Sequence, residues 1–246
     1  MDAANAQTDY TSQVDSLVNT EQWMRILALE RIVSNHDSYG WRNQHNTYAY
    51  KPMNDRWQLL LWDVDVLFGG GPGAIASNDD FFSEVSTKEP VLYRMMTHPP
   101  FERAYWRALE DGANGPMLNT KIETVMDAIL AALTANGVNP PTSTAAAKTW
   151  ISSRRNFILQ QVATINATFE ITSNNGNNFT TSQNPYSLIG NAPVSVTTDQ
   201  SERNTLSGDV GFPGSECYAQ KTGEVDNFSA VERRGQLAQC PGLRPP

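Results

Sequence analysis

The chain has 246 residues, of which 39% are hydrophobic and 18% charged, with a formal net charge of −8 and an isoelectric point near 4.9. So acidic a chain is not one that coats nucleic acid, because phosphate binding needs a basic face, and no run of about 18 apolar residues is present to span a membrane. Its two cysteines, Cys217 and Cys240, both lie in the tail, so no disulfide framework organises the body, although the two could pair with each other.

Residues 1–16 are polar, without the basic flank and apolar core of a signal peptide, and read as a frayed end or connecting turn. A helix follows. Thr20 is placed to cap it, Trp23, Ile26, Leu27 and Val33 fall at helical spacing, and Arg25 and Arg31 lie on other faces. That helix delivers the chain to Asn35, His36 and Asp37. The loop Asp37–Gln44 is broken by Gly40, Asn46–Tyr50 (NTYAY) is a short strand, and Pro52–Asp55 turns the chain. Trp57–Phe68 (WQLLLWDVDVLF) then reads as a long strand pairing with NTYAY in a hairpin, which ends in the flexible turn GGGPG.

From Ala74 to Lys88 the chain is a polar loop carrying Asp79, Asp80 and Glu84. Helices follow: Val91, Leu92, Met95 and Met96 make one apolar patch, and Phe101, Tyr105 and Leu109 repeat every four residues after Pro100. Thr120 and Glu123 form a capping box ahead of a regular stripe of Ile122, Val125, Met126, Ile129, Leu130 and Leu133, which is expected to be core. A last helix from near Thr144 turns Trp150, Ile151, Phe157, Ile158, Val162 and Ile165 inward, with Arg154 and Arg155 between them. The fold class is therefore α+β and mostly helical. Residues 171–200 read as a linker opening a β-rich module, whose strands at 186–198 lack an evident partner, and residues 201–246 as an irregular tail.

The chemistry concentrates between Ser34 and Gly71. With a period of two, Asp63 and Asp65 share a strand face with Leu59, Leu61 and Leu67, and two like charges on a half-buried face call for a cation. A hard divalent ion such as Mg²⁺ or Mn²⁺ suits Asp63, Asp65 and the Asn46 amide, with phosphate oxygens and water completing its shell. The alternative is an internal ion pair with Arg42, Arg56 or Arg154. Asp37, in a loop rich in hydrogen-bonding groups, suits a general base, or equally a turn aspartate. An apolar-flanked DxD also suits a nucleotide-sugar diphosphate, so a metal-dependent glycosyltransferase is a second reading. Tyr39, Trp41 and Trp62 could flank an adenine or be packed. The three histidines lack zinc-ligand spacing, and His36 either orients Asp37 or is structural.

The segments NHDSYG, NTYAY and RWQLLLWDVDVLFG, in that order, resemble the CotH kinase family, the spore-coat-type atypical protein kinases. The helices TEQWMRILALERIV and SSRRNFILQQV look similar to that family too, and the resemblance covers roughly residues 15–170. It implies a kinase-like carboxy-terminal lobe whose hairpin carries the site, with a catalytic Asp matched by Asp37 and a metal-binding Asp matched by Asp63. Asn46 would help to hold the metal, a longer DSYGWRNQH loop leaves Asn43 as its rival, and Asp65 would be a supporting or additional ligand. The implied reaction takes ATP as nucleotide and a protein hydroxyl as acceptor. The family's amino-terminal lobe should precede this region, yet only a short polar stretch does. The chain is therefore expected to be a fragment of such a domain, from a secreted or cell-surface protein, with a non-catalytic extracellular scaffold as the third reading.

Overall fold

The computed structural model describes residues 3–138, 144–177 and 190–196, together with the backbone of residues 186–189 and of three short strands further on. Two compact units divide the chain, Met1–Ala163 and Thr164–Pro246. The polar start, expected to fray, contains a helix, α1 (Tyr10–Leu17). It forms because Tyr10 and Val14, one turn apart, both find burial. The Tyr10 ring lies under the Arg94 guanidinium at 4.0 Å and against the edge of His98 at 4.8 Å.

Helix α2 (Thr20–Val33) is capped by Asn19, whose side chain accepts from Gln22 N at 3.2 Å, and not by Thr20. The Thr20 hydroxyl instead donates to Asp15 at 2.6 Å. The buried face of α2 is Met24, Leu27, Ala28, Glu30, Arg31 and Ile32, rotated from the expected face so that Leu27 is buried as read while Trp23, Ile26 and Val33 are only half-buried. That rotation packs α2 along α5 (Pro99–Asn114), where Gly112 leaves room for Ile32. A Cβ on Gly112 would stand 2.4 Å from the Ile32 Cδ1 atom.

The expected hairpin is present. Strand β1 (Thr47–Tyr50) pairs antiparallel with β2 (Gln58–Leu61) in the register Thr47 to Leu61 and Tyr50 to Gln58. The long strand to Phe68 is not present, because pairing stops at Leu61. Next in the register stands Asn46, whose φ of 54° turns it out of the extended conformation, and Asp63 at φ 51° does the same on the other side. Asp63 and Asp65 consequently lie on no half-buried strand face; both are exposed. The outer edge of β2 is tied to α2. The Gln22 amide donates to Leu59 O at 2.6 Å and accepts from Leu59 N at 2.9 Å, while Trp57 N donates to Leu17 O at 2.8 Å.

The segment after the glycines is less of a polar loop than its composition suggests, since Ile75, Phe81 and Val85 are buried in it. It ends in a single helical turn, α3 (Val85–Lys88), before α4 (Pro90–Met96) and α5, which bury Leu92, Met95, Met96, Phe101, Tyr105 and Leu109 as expected. Helix α6 (Asn119–Ala135) has the expected stripe but buries none of it; Val125 and Ile129 are more than half exposed. Helical period identifies an apolar face but says nothing of what the face meets. Helix α7 (Ala145–Ile165) turns Ile151, Ile158 and Val162 inward, and with them Arg154, which has no exposed surface.

In the second unit β4 (Tyr186–Asn191) lies between β3 (Glu170–Ile171) and β5 (Glu216–Ala219), all antiparallel, so the strand that lacked an evident partner has two within the chain. Strands β6 (Ser229–Val231) and β7 (Leu237–Gln239) form a separate pair. Cys217 sits in β5 opposite Leu188, whereas Cys240 and most of the tail expected to be irregular lie outside the described residues. The fold is α+β, mostly helical with a small antiparallel hairpin. Among the described residues no helix is long and apolar enough to cross a membrane.

Candidate active site

The end of α2 is the point from which the candidate residues fan out. Ser34 takes the left-handed conformation at φ 64°, its N–H and that of Asn35 both returning to Glu30 O, which closes the helix and turns the chain sharply. Ser34, Asn35, His36 and Ser38 are buried and Asp37 between them is half-buried, so the arm carrying Asp37 is set in the body and not free.

The hairpin brings a second residue to this arm. Asn46, immediately before β1, donates from Nδ2 to the Asp37 carboxylate at 2.7 Å, and the next residue, Thr47, accepts from Tyr39 N at 3.3 Å. A bond to a carboxylate fixes the orientation of both side chains and is stronger than one between neutral groups. It leaves the Asn46 carbonyl oxygen free of that contact. Asn43, the rival, is exposed, and its backbone N–H reaches His36 O at 3.4 Å.

Asp63 and Asp65 arrive from the other strand. Because Thr47 pairs with Leu61, Asn46 and Asp63 leave the hairpin at the same end. The segment then lands back on α2, Phe68 N donating to Val33 O at 2.8 Å. The arginines proposed as ion-pair partners are engaged elsewhere: Arg42 with Glu84, Arg56 with Asp15, and Arg154 with main-chain carbonyls. Five of the nine described non-glycine residues with positive φ fall here, namely Ser34, Gln44, Asn46, Asp63 and Phe68. Such conformations cost free energy for side chains of this size and gather at functional sites.

The sequence profile of the CotH kinase protein family matches residues 2–168, about two thirds of the chain. The chain belongs to the CotH kinase family. No curated protein and no solved structure matches it. Within this CotH kinase domain, the matched span contains the whole of the Asp37, Asn46 and Asp63 arrangement.

Two other features of the domain decide between readings that the sequence left open. Trp41 does not flank an open site; it is fully buried beneath the Arg31 guanidinium, 3.6 Å from the ring centroid, while Tyr39 Oη donates to Glu89 at 3.4 Å and only Trp62 of the three stays exposed, edge-on to Tyr48. The glycine turn is not merely flexible. Gly69, at φ 70°, lies where a Cβ would be 2.4 Å from the Trp150 ring, whose Nε1 donates to Ile75 O at 2.9 Å. His36 packs against Gly73 in the same way, consistent with its structural reading. Among the described residues no group of three or more His, Cys, Asp or Glu stands ready to hold a metal ion.

Proposed function

We propose that this CotH-family chain transfers the γ-phosphoryl group of ATP to a protein hydroxyl, with Asp37 as the catalytic residue. The observation that carries the reading is the Asp37–Asn46 bond at the hairpin end from which Asp63 also departs, inside the span matched by a kinase family. Asp37 accepts the acceptor's proton as its oxygen bonds to the γ-phosphorus, and the bond from that phosphorus to the β,γ-bridging oxygen breaks, releasing ADP. Asn46 holds the carboxylate in one orientation for this. Asp63, with the Asn46 carbonyl oxygen and with Asp65 as a further donor, would hold Mg²⁺ or Mn²⁺; all are hard oxygen donors, and the exposure of both aspartates leaves room for phosphate oxygens and water. When bound, that ion supplies neutralisation of phosphate charge.

Thermal denaturation with ATP and Mn²⁺, set against a uridine diphosphate sugar and Mn²⁺, tests the substrate class. The reading expects a raised midpoint with ATP and Mn²⁺, abolished in Asp63→Asn. A shift with the sugar nucleotide alone would replace it by the glycosyltransferase reading.

A further inference from the structure

We infer that Arg154, on α7 and remote in sequence from every candidate catalytic residue, is a positioning residue that holds the Asp37 arm in fixed register with the loop following Asp63 and Asp65. The role rests on the phosphotransfer reading. Arg154 is fully buried, and among the described residues no carboxylate lies within ion-pair distance of it. All three of its nitrogens donate to main-chain carbonyls. Nε and Nη2 both reach Arg31 O, at 3.2 and 2.9 Å, in the last turn of α2. Nη1 reaches Ser77 O at 3.1 Å and Asp79 O at 2.6 Å, in the loop beyond the glycine turn. A single rigid fork thus ties the helix end that launches Asp37 to the loop that follows Asp63 and Asp65.

The side chain is held from outside as well as in. Its guanidinium lies 4.5 Å from the Phe81 ring centroid and 5.5 Å from that of Phe157. The carbonyl it grips belongs to the negative end of a helix dipole, where a cation is favoured without an ion pair. Two further arginines make the same connection. Arg31 Nη2 donates to Gly40 O at 3.3 Å, on the Asp37 arm, and to Ser83 O at 3.2 Å, on the loop. Arg42, itself on the arm, donates to Gly73 O at 3.2 Å and pairs with Glu84. Three guanidinium groups from three places in the chain tie the end of α2 and the arm that follows it to the loop, and of the three Arg154 is the one that lies outside α2, arm and loop.

A lysine keeps the charge but cannot form the planar fork, so Arg154→Lys is the informative variant. Hydrogen exchange reads the result directly, because the loop amides of Asp79, Ser83 and Val85 and the arm amides of Trp41 and Asn43 are all internally bonded. In Arg154→Lys, exchange at 75–85 and 36–43 is expected to rise by about tenfold or more, while α4 and α5 stay within about twofold. The phosphotransfer kcat is expected to fall by about tenfold with the KM for ATP little changed, since positioning and not nucleotide binding is lost. Arg155→Lys, altering the neighbour that donates to Ala113 O, serves as a control expected to change neither readout. If Arg154→Lys does not fold, Arg42→Gln, at the exposed end of the same bridge, is expected to loosen the same two segments to a smaller extent. Unchanged exchange in both segments, or loosening spread equally through α4 and α5, overturns the assignment. Should the unsubstituted chain transfer no phosphoryl group, the functional reading falls and the positioning role with it, whereas a changed exchange pattern in a transfer-competent chain supports both.

Discussion

Glu30 occupies the last turn of α2 with almost no exposed surface, and one of its carboxylate oxygens has no hydrogen-bond partner. Burial pushes its pKa up from 4.5 to about 7, and the Asn35 side chain and the Arg31 charge pull it back only in part. Between those two values the folded chain keeps a proton that the unfolded chain has released, so stability falls as pH rises through this window. The loss is roughly 3 kcal/mol, complete above the folded value and absent below the unfolded one. Glu30→Gln should remove it: urea midpoints of variant and parent should agree near pH 4.5 and separate by pH 8, the variant being the more stable. At the same scale, Asn46→Ala deletes the donor to Asp37 and should cost about 1 kcal/mol, read by the same denaturation, since the bond is half-exposed. Asp37, Asn46 and Asp63 were proposed as a set from their residue types and order, and the structure bonds Asn46 to Asp37 and brings Asn46 and Asp63 out at one end of the hairpin. The burial expected of Asp63 and Asp65 does not occur, because Asn46 and Asp63 both leave the extended conformation and end the ladder, which period-two reasoning cannot detect.

Among the elements, the hairpin was readable from turn residues and apolar runs, and its pairing followed. Helix α6 shows the opposite case. Its stripe is as regular as that of α5, yet α5 buries Phe101, Tyr105 and Leu109 while α6 buries no residue. Leu109→Ala should therefore cost about 2–5 kcal/mol, and Ile129→Ser no more than about 0.5 kcal/mol, as measured by chemical denaturation. Comparable losses at both positions would mean that α6 packs in solution against something that covers it. Arg31 was expected off the apolar face of α2, and Arg154 between the inward residues of α7 or paired with Asp63 or Asp65; burial of both was not foreseen, because charged side chains usually stay in water. What the sequence did not display is the set of carbonyls waiting for them: Gly40, Ser77, Asp79, Ser83 and Arg31 itself, drawn from three separate segments. Long-range satisfaction of main-chain acceptors leaves no local signature.

For the molecule as a whole, the acidic composition excluded a nucleic-acid coat and the family resemblance supplied the kinase reading, which the profile match over residues 2–168 bears out at the level of the family. The β-rich module was read at residues 171–200 with strands at 186–198 lacking an evident partner, because partnership of β4 with β3 and β5 is set by pairing across long stretches of chain. The central claim is that Asp37 performs the proton-accepting step of phosphotransfer. The direct measurement is transfer of label from γ-phosphate-labelled ATP, in Mn²⁺, to the chain itself and to dephosphorylated casein. The unsubstituted chain should label protein, and Asp37→Asn should keep its melting temperature and its ATP-dependent thermal shift while losing about 100-fold or more of the rate. Transfer by Asp37→Asn at the unsubstituted rate, or none by the unsubstituted chain, would contradict it.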